Sequence, residues 1–295
     1  MKEKQNDRYE ESSSYTGTEP KQSPPGSEHQ MKNYPDHGEY SYRGTGLFTD
    51  KVVLITGGDS GIGKAAAIAF AREGADVVIS YLSAVENDDA HDTQNWIAKE
   101  GRRCLLVQGD ITDHKHCKSL VEKTIKAFGK IDVLINNAAF QMEHENLQDI
   151  SIEEWQKTFN TNVHPLFYLL KYGLQHIPKG GSIINTTSVN VYDPNPGLLG
   201  YASTKAALQN LTASLSKMLL EQDKGIRVNA VAPGPIWTPL IPTTISKLAE
   251  FGDNTPIGRP GQPAEIAPIY VFLASPAASY ISGAIVPATG GRITL

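Results

Sequence analysis

Cysteine is nearly missing from this chain: two in 295 residues, too few for a disulfide framework and in keeping with a reducing compartment. No apolar run approaches the roughly 18–20 residues that a membrane span requires. The opening MKEKQNDRYEESSSYTG also has no hydrophobic stretch of the signal-peptide kind. A basic excess is absent as well. The net charge of −5 argues against a protein held to nucleic acid through its phosphates, which is normally basic. Together these absences point to a cytoplasmic protein with neither a membrane nor a nucleic-acid partner. The segment before Leu47 lacks Val, Ile, Leu, Phe and Trp altogether. Its Ser, Pro, Gly, Gln, Glu and Lys bury too little apolar area to offset the entropy of ordering. Residues 1–46 therefore read as a flexible polar tail, either solvated or partly draped on the surface through its tyrosines.

From Leu47 the rhythm changes, and residues 47–295 contain nothing that looks like a linker. Short β-branched runs at 51–56, 76–81, 104–109, 132–136, 182–187, 226–231 and 284–287 alternate with helical spacing, as in 62–74, roughly 152–177, and 201–222. Near-continuous apolar strands separated by helices indicate a parallel sheet covered on both faces. Right-handed crossovers make this an α/β fold, a doubly wound, mostly parallel seven-stranded sheet of Rossmann type. Its ligand crevice should lie at the C-terminal strand ends.

Three clusters carry chemistry. The first strand runs into 56-TGGDSGIG-63, where Gly57, Gly61 and Gly63 let backbone approach a pyrophosphate and the next helix start offers free amides to it. Asn137, Ala138 and Ala139 follow the fourth strand, where an Asn amide either ties the sheet or meets a ribose. Asp110 and Ile111 end the third strand; Asp110 is either an acceptor for an adenine amino group or a turn and cap residue. Ser188 closes the fifth strand, and Tyr201 and Lys205 stand at i and i+4 on one face of the helix that follows. A phenol titrates near pH 10, and a neighbouring ammonium lowers that value enough for acid/base work.

In this order the motifs resemble those of the short-chain dehydrogenase/reductase family. They are the loop at 56–63, NNAA at 136–139, Asn162 in NTNVHP, Ser188, Tyr201-x-x-x-Lys205 and PGPIWT at 233–238. The glycine-rich segment and the long polar tail are similar to a bacterial subgroup labelled general-stress or glucose/ribitol-dehydrogenase-like. The resemblance implies that Tyr201 exchanges a proton with the substrate oxygen, which Ser188 orients. Lys205 would lower the Tyr201 pKa and hold the nicotinamide ribose, and Asn162 would hold a water relaying protons to Lys205. Pro233, Gly234, Ile236 and Thr238 would cover the nicotinamide. A homotetramer is also implied, in keeping with apolar stripes through Phe159, Val163, Phe167 and Leu170 and through Leu208, Leu211, Leu215 and Leu219.

The function expected is NAD(P)-dependent interconversion of an alcohol and a ketone or aldehyde. The alternatives are a ketoacyl-type reductase on a carrier-bound chain and a non-catalytic dinucleotide sensor; retention of both Tyr201 and Lys205 argues against the sensor. For the cofactor, the loop carries Asp59 and Ser60, with Ile62 beside them. The second strand ends at Tyr81 with no Arg or Lys nearby, which favours NAD while leaving NADP open. The cluster 113-DHKHC-117 does not match the spacing or ligand count of a zinc site, so no metal is expected.

Overall fold

The computed structural model describes residues 16–292. Strands β1 (Val52–Thr56), β2 (Asp76–Tyr81), β3 (Cys104–Gln108), β4 (Val133–Asn136), β5 (Ser182–Thr186), β6 (Arg227–Pro233) and β7 (Ile285–Ala288) form one sheet. Their order is β3-β2-β1-β4-β5-β6-β7, and every pairing is parallel. Successive side chains serve opposite faces. Val53, Ile55, Val77 and Ile79 pack on one side of the sheet, and Leu54, Val78, Leu134 and Ile183 pack on the other.

The helices are α1 (Gly61–Arg72), α2 (Asn87–Lys99), α3 (His114–Phe128), α4 (Ile152–Asn162), α5 (His164–Gly173), α6 (Leu199–Glu221), α7 (Leu240–Thr244) and α8 (Pro263–Ala274). The alanines of α1 let it lie close to the sheet and to α8 in the first layer, while α3, α5 and α6 cover the second. Strand order reverses about β1, so the loops after β1 and β4 diverge and open a crevice at their C-terminal ends. One helix over 152–177 does not form. It breaks at Val163, and Pro165 occupies the first turn of α5, because proline has no amide to donate and its ring collides with the preceding turn. No helix among the described residues is long and apolar enough to cross a membrane.

The arm over residues 17–46 is not the flexible tail that composition predicts. Met31 joins Trp237, Ile241 and Leu248 in a small apolar cluster. Elsewhere the docking is polar. Asp89 on α2 accepts the amides of Glu28 at 2.8 Å and His29 at 3.0 Å. Arg72 donates to the carbonyls of Gly38, Glu39 and Tyr42. Glu73 accepts from the amides of Thr45 and Leu47 and from the Tyr42 hydroxyl. Side chains of the domain thus satisfy the arm's backbone, a contribution invisible to a count of apolar residues. Residues 1–15 of the expected tail lie outside the described residues.

Candidate active site

β1 feeds the glycine-rich loop, and α1 starts at Gly61. Gly57 and Gly61 have φ of 61° and 53°, a region that glycine enters without strain. A Cβ at Gly63 would stand 1.8 Å from the Gly57 oxygen. Gly57, Asp59, Ser60, Gly61 and Ile62 line a cleft of about 760 Å³ at the C-terminal edge of the sheet. Gly63 is not on the cleft wall; its missing side chain lets α1 close on the loop from behind. Asn137 donates Nδ2 to the carbonyls of Thr56 at 3.2 Å and Gly57 at 3.0 Å. The Thr56 hydroxyl accepts the amides of Asn137 and Ala138. Asn137 therefore ties β1 to β4 at the crevice, the first of its two readings, while Asn137, Ala138 and Ala139 all line the cleft.

Opposite the loop, α6 carries Tyr201 and Lys205 into the same cleft as Ser188. The helix is anchored by polar links: Asn185 Nδ2 donates to Thr212 Oγ1 at 2.9 Å and Asn136 Nδ2 donates to Asn185 Oδ1 at 3.0 Å. Lys205 is 1% exposed; its Nζ donates to the Thr186 carbonyl at 2.7 Å and lies 5.3 Å from the Tyr201 ring centroid. Ser188 Oγ accepts from the Asn190 amide and side chain, each at 3.2 Å, and is bonded to the Tyr201 hydroxyl. Burial pushes the Tyr201 phenol up to about 12, against the lowering effect of that Ser188 bond. Burial also brings the Lys205 ammonium down to about 7. Burial thus opposes the lowering of the phenol that a neighbouring ammonium would bring. A hydroxyl pair beside a buried lysine, facing a glycine-rich loop, can pass a proton to or from an oxygen held between them.

The sequence profile described as enoyl-(acyl carrier protein) reductase matches residues 57–292. The uncharacterized oxidoreductase YhdF of Bacillus subtilis is 50% identical over 270 residues, covering 91% of this chain and 92% of that protein. NADPH-dependent aldehyde reductase 1, chloroplastic, of Arabidopsis thaliana is 43% identical over 276 residues, covering 91% and 95%. A solved short-chain dehydrogenase from Burkholderia cenocepacia, in complex with NADP, superposes with a TM-score of 0.77 at 30% identity, covering 83% of this chain and 98% of that one. This chain belongs to the short-chain dehydrogenase/reductase family. It is an oxidoreductase.

Within this dehydrogenase/reductase, the Asn162 side chain is engaged by its own chain. Its Oδ1 accepts the Phe140 amide at 2.7 Å, and its Nδ2 donates to the Phe140 carbonyl at 2.8 Å and to Thr204 Oγ1 at 3.0 Å. These bonds to the Phe140 backbone and the Thr204 hydroxyl pin the segment after β4 to α6, and Asn162 is not among the cleft-lining residues. Tyr81, Asp110, Ile111, Pro233, Gly234, Ile236 and Thr238 do line the cleft. Asp110 Oδ1 accepts the Thr112 amide at 2.8 Å, its turn reading. Trp237 is fully buried, and its Nε1 donates to the Asn33 carbonyl at 2.9 Å. The indole thus anchors the base of α7 and the chain after it, the segment that walls this side of the cleft and is termed the lid below.

In the cluster after Asp113, His114 Nδ1 pairs with the Tyr172 hydroxyl at 2.9 Å and Asp113 caps α3 through the Lys115 amide.

Sequence reasoning missed the groups that carry no family motif. Glu86 lines the cleft beside Asp59, Tyr81 and Leu82, and its Oε2 accepts the amides of Leu82 at 3.0 Å and Ser83 at 2.9 Å. Burial, then the Glu86 charge, raises the Asp59 carboxyl well above the usual range. The Glu86 carboxyl is raised by burial too, although its two amide donors favour the anion. Glu86, rather than Asp59, is the better holder of the negative charge there. At the substrate end, Gln141 Nε2 donates to Thr244 Oγ1 at 2.8 Å, and Glu143 Oε2 accepts the Ser246 amide at 2.8 Å and hydroxyl at 2.6 Å, latching the lid to the segment after β4.

Proposed function

We propose that this oxidoreductase interconverts an alcohol and a ketone or aldehyde with a nicotinamide dinucleotide, NAD in preference to NADP. The observation that carries the reading is the set Ser188, Tyr201 and Lys205, with Ser188 and Lys205 buried and Tyr201 partly so, facing the glycine-rich loop across one cleft. The residues fit a dinucleotide. The loop is tight enough that a Cβ at Gly57 would meet Ala138 Cα at 3.0 Å, and the start of α1 turns free amides toward the cleft. Amides of Ser60 and Ile62 would hold the pyrophosphate, Lys205 the nicotinamide ribose, and Pro233, Gly234, Ile236 and Thr238 the nicotinamide face. When bound, the dinucleotide supplies or takes up the hydride.

The protein's own part is the proton. Tyr201, kept protonated by burial, donates its hydroxyl proton to the carbonyl oxygen during reduction, and Ser188 Oγ orients that oxygen. In the reverse direction Tyr201 must release its proton first. Burial brings Lys205 down to about 7, so it eases that release only where it is still charged, up to about neutrality. The preference for NAD rests on the adenosine end, where Glu86 and Asp59 face the cleft. Among the described lining residues from Asp59 to Thr112 there is no Lys or Arg to pair with a 2′-phosphate.

Fluorescence titration with NADH and NADPH, followed by an absorbance screen of sugars, polyols, aldehydes and ketones, tests the reading. Binding of neither dinucleotide overturns it, and NADPH bound tenfold or more tightly than NADH overturns the preference. A homotetramer is part of the same proposal. Leu170, Leu208 and Leu219 turn into the chain's own core, but Phe167 and Ile152 remain 63% and 68% exposed on α5 and α4, a patch suited to a helix-pair interface. Light scattering that gives the mass of one chain at micromolar concentration would remove that part alone.

A further inference from the structure

We infer that the N-terminal arm is a working part of the dinucleotide site, with Glu28 as the positioning residue for the glycine-rich loop. This inference rests on the proposed dinucleotide reading of the cleft. Ser60 stands at the N-cap of α1 but makes no side-chain capping bond. The cap comes instead from far upstream: Glu28 Oε1 accepts the Gly61 amide at 2.7 Å. The same carboxylate meets His37 Nε2 at 2.7 Å and Lys64 Nζ at 2.8 Å. Lys64 in turn reaches Asp92 at 2.8 Å, and His37 Nδ1 reaches Glu39 at 3.0 Å. Glu28, His37 and Lys64 are all buried, so the loop's first helical residue is fixed by a closed set of paired charges.

The geometry supports the cofactor rather than competing with it. Gly61 and Ile62 line the cleft, whereas Glu28 does not; the carboxylate grips the loop from outside and leaves its inner face free. Lys64 and His37 offset the Glu28 charge, so the helix start remains hospitable to an anion. The arm reaches the lid as well. The Gln22 amide donates to the Pro242 carbonyl at 3.2 Å, and a Cβ at Gly26 would stand 2.8 Å from the Pro239 oxygen. One continuous strap thereby holds the phosphate loop and the lid base in register, so that both walls of the cleft are set before any ligand enters.

The test uses the full chain and three variants, read by NADH fluorescence titration, thermal melting and steady-state kinetics. Glu28→Ala is expected to weaken NADH binding about tenfold, the loss of one buried charged hydrogen bond. KM for the dinucleotide should rise in step, with kcat at saturation within about twofold. Glu28→Gln, which keeps one acceptor but loses the charge, is expected to weaken binding about threefold. Tyr42→Phe, which breaks the arm's bond to Glu73 far from the loop, should lower the melting temperature and leave NADH affinity unchanged. A folded Glu28→Ala or Glu28→Gln that binds NADH as the parent does overturns the inference, as does a Tyr42→Phe that binds as weakly as they do. If Glu28→Ala does not fold, Glu28→Gln alone decides. A parent chain that binds neither NADH nor NADPH overturns the proposed function instead.

Discussion

Replacing Glu86 by glutamine isolates one charge at the adenosine end of the cleft. Glu86 is 7% exposed, and its Oε2 is held by the amides of Leu82 and Ser83. A glutamine oxygen can accept both bonds, so the turn after β2 persists while the charge disappears. Taking a 2′-phosphate on NADP at about 5–6 Å from the Glu86 carboxylate, within the range where neighbouring charges act strongly, sizes the effect. At an effective dielectric of about 20, each unit of its charge is opposed by roughly 3 kcal/mol before solvent screening. Screening at an open cleft removes a large part of that. What remains corresponds to about tenfold to a hundredfold in affinity, since each 1.4 kcal/mol is about a factor of ten. Glu86→Gln should therefore tighten NADPH by that factor relative to NADH, while NADH weakens by about threefold through loss of a ribose acceptor. Titrations at two salt concentrations supply the control, because added salt should narrow the gap between the two cofactors in the parent chain but not in the variant. If the ratio of the two dissociation constants moves by less than about twofold, Glu86 does not set the choice and the electrostatic argument fails.

Tyr201→Phe keeps the ring and removes the transferable proton, so kcat should fall by about a hundredfold to ten-thousandfold while NADH affinity stays within about twofold. A variant that retains most of its turnover would disprove the assignment. Ser188→Ala should lower kcat more than cofactor affinity, the mark of a group engaged with the reacting oxygen. Because burial raises Tyr201 to about 12 and oxidation requires its proton to leave, alcohol oxidation should climb steadily with pH through the alkaline range, whereas carbonyl reduction should not; parallel profiles would count against this proton route. His37, faced by Glu28, Glu39 and Lys64, is raised from 6.5 to about 9, so its stabilisation is complete below pH 6.5 and lost as pH rises through 9. Glu28, lowered from 4.5 to about 2, contributes above pH 4.5 and loses its effect as pH falls toward 2. The melting temperature of the parent should decline on both sides of that window, and His37→Gln should flatten only the alkaline side.

The sheet was legible because its strands are short apolar runs, and their observed bounds differ from the expected ones by a residue or two. Tyr201 and Lys205 were legible because helix geometry alone puts i and i+4 on one face. The break at Val163 could have been read from His164-Pro165, had the proline been weighed above the continuing apolar pattern. Glu86 was hidden differently. The stretch from Ser83 to Glu86 forms a reciprocal capping box, so its local pattern declares a turn and not its place on the cleft wall. The partners of the Asn162 side chain, the backbone groups of Phe140, have no signature in side-chain identity. The arm failed for the same reason: Asp89, Arg72 and Glu73 hold backbone, and composition records only side chains.

Trp237 gives the molecule a built-in reporter. Its indole nitrogen is engaged by an arm carbonyl, and its ring fills the cluster shared with Met31, Ile241 and Leu248. Of the chain's three tryptophans, Trp96 is half-buried and Trp155 is 36% exposed, so their emission already reflects water. Any event that lifts the arm or swings the lid must wet the Trp237 ring, and the resulting red shift would register the two motions as a single optical signal in the unlabelled protein.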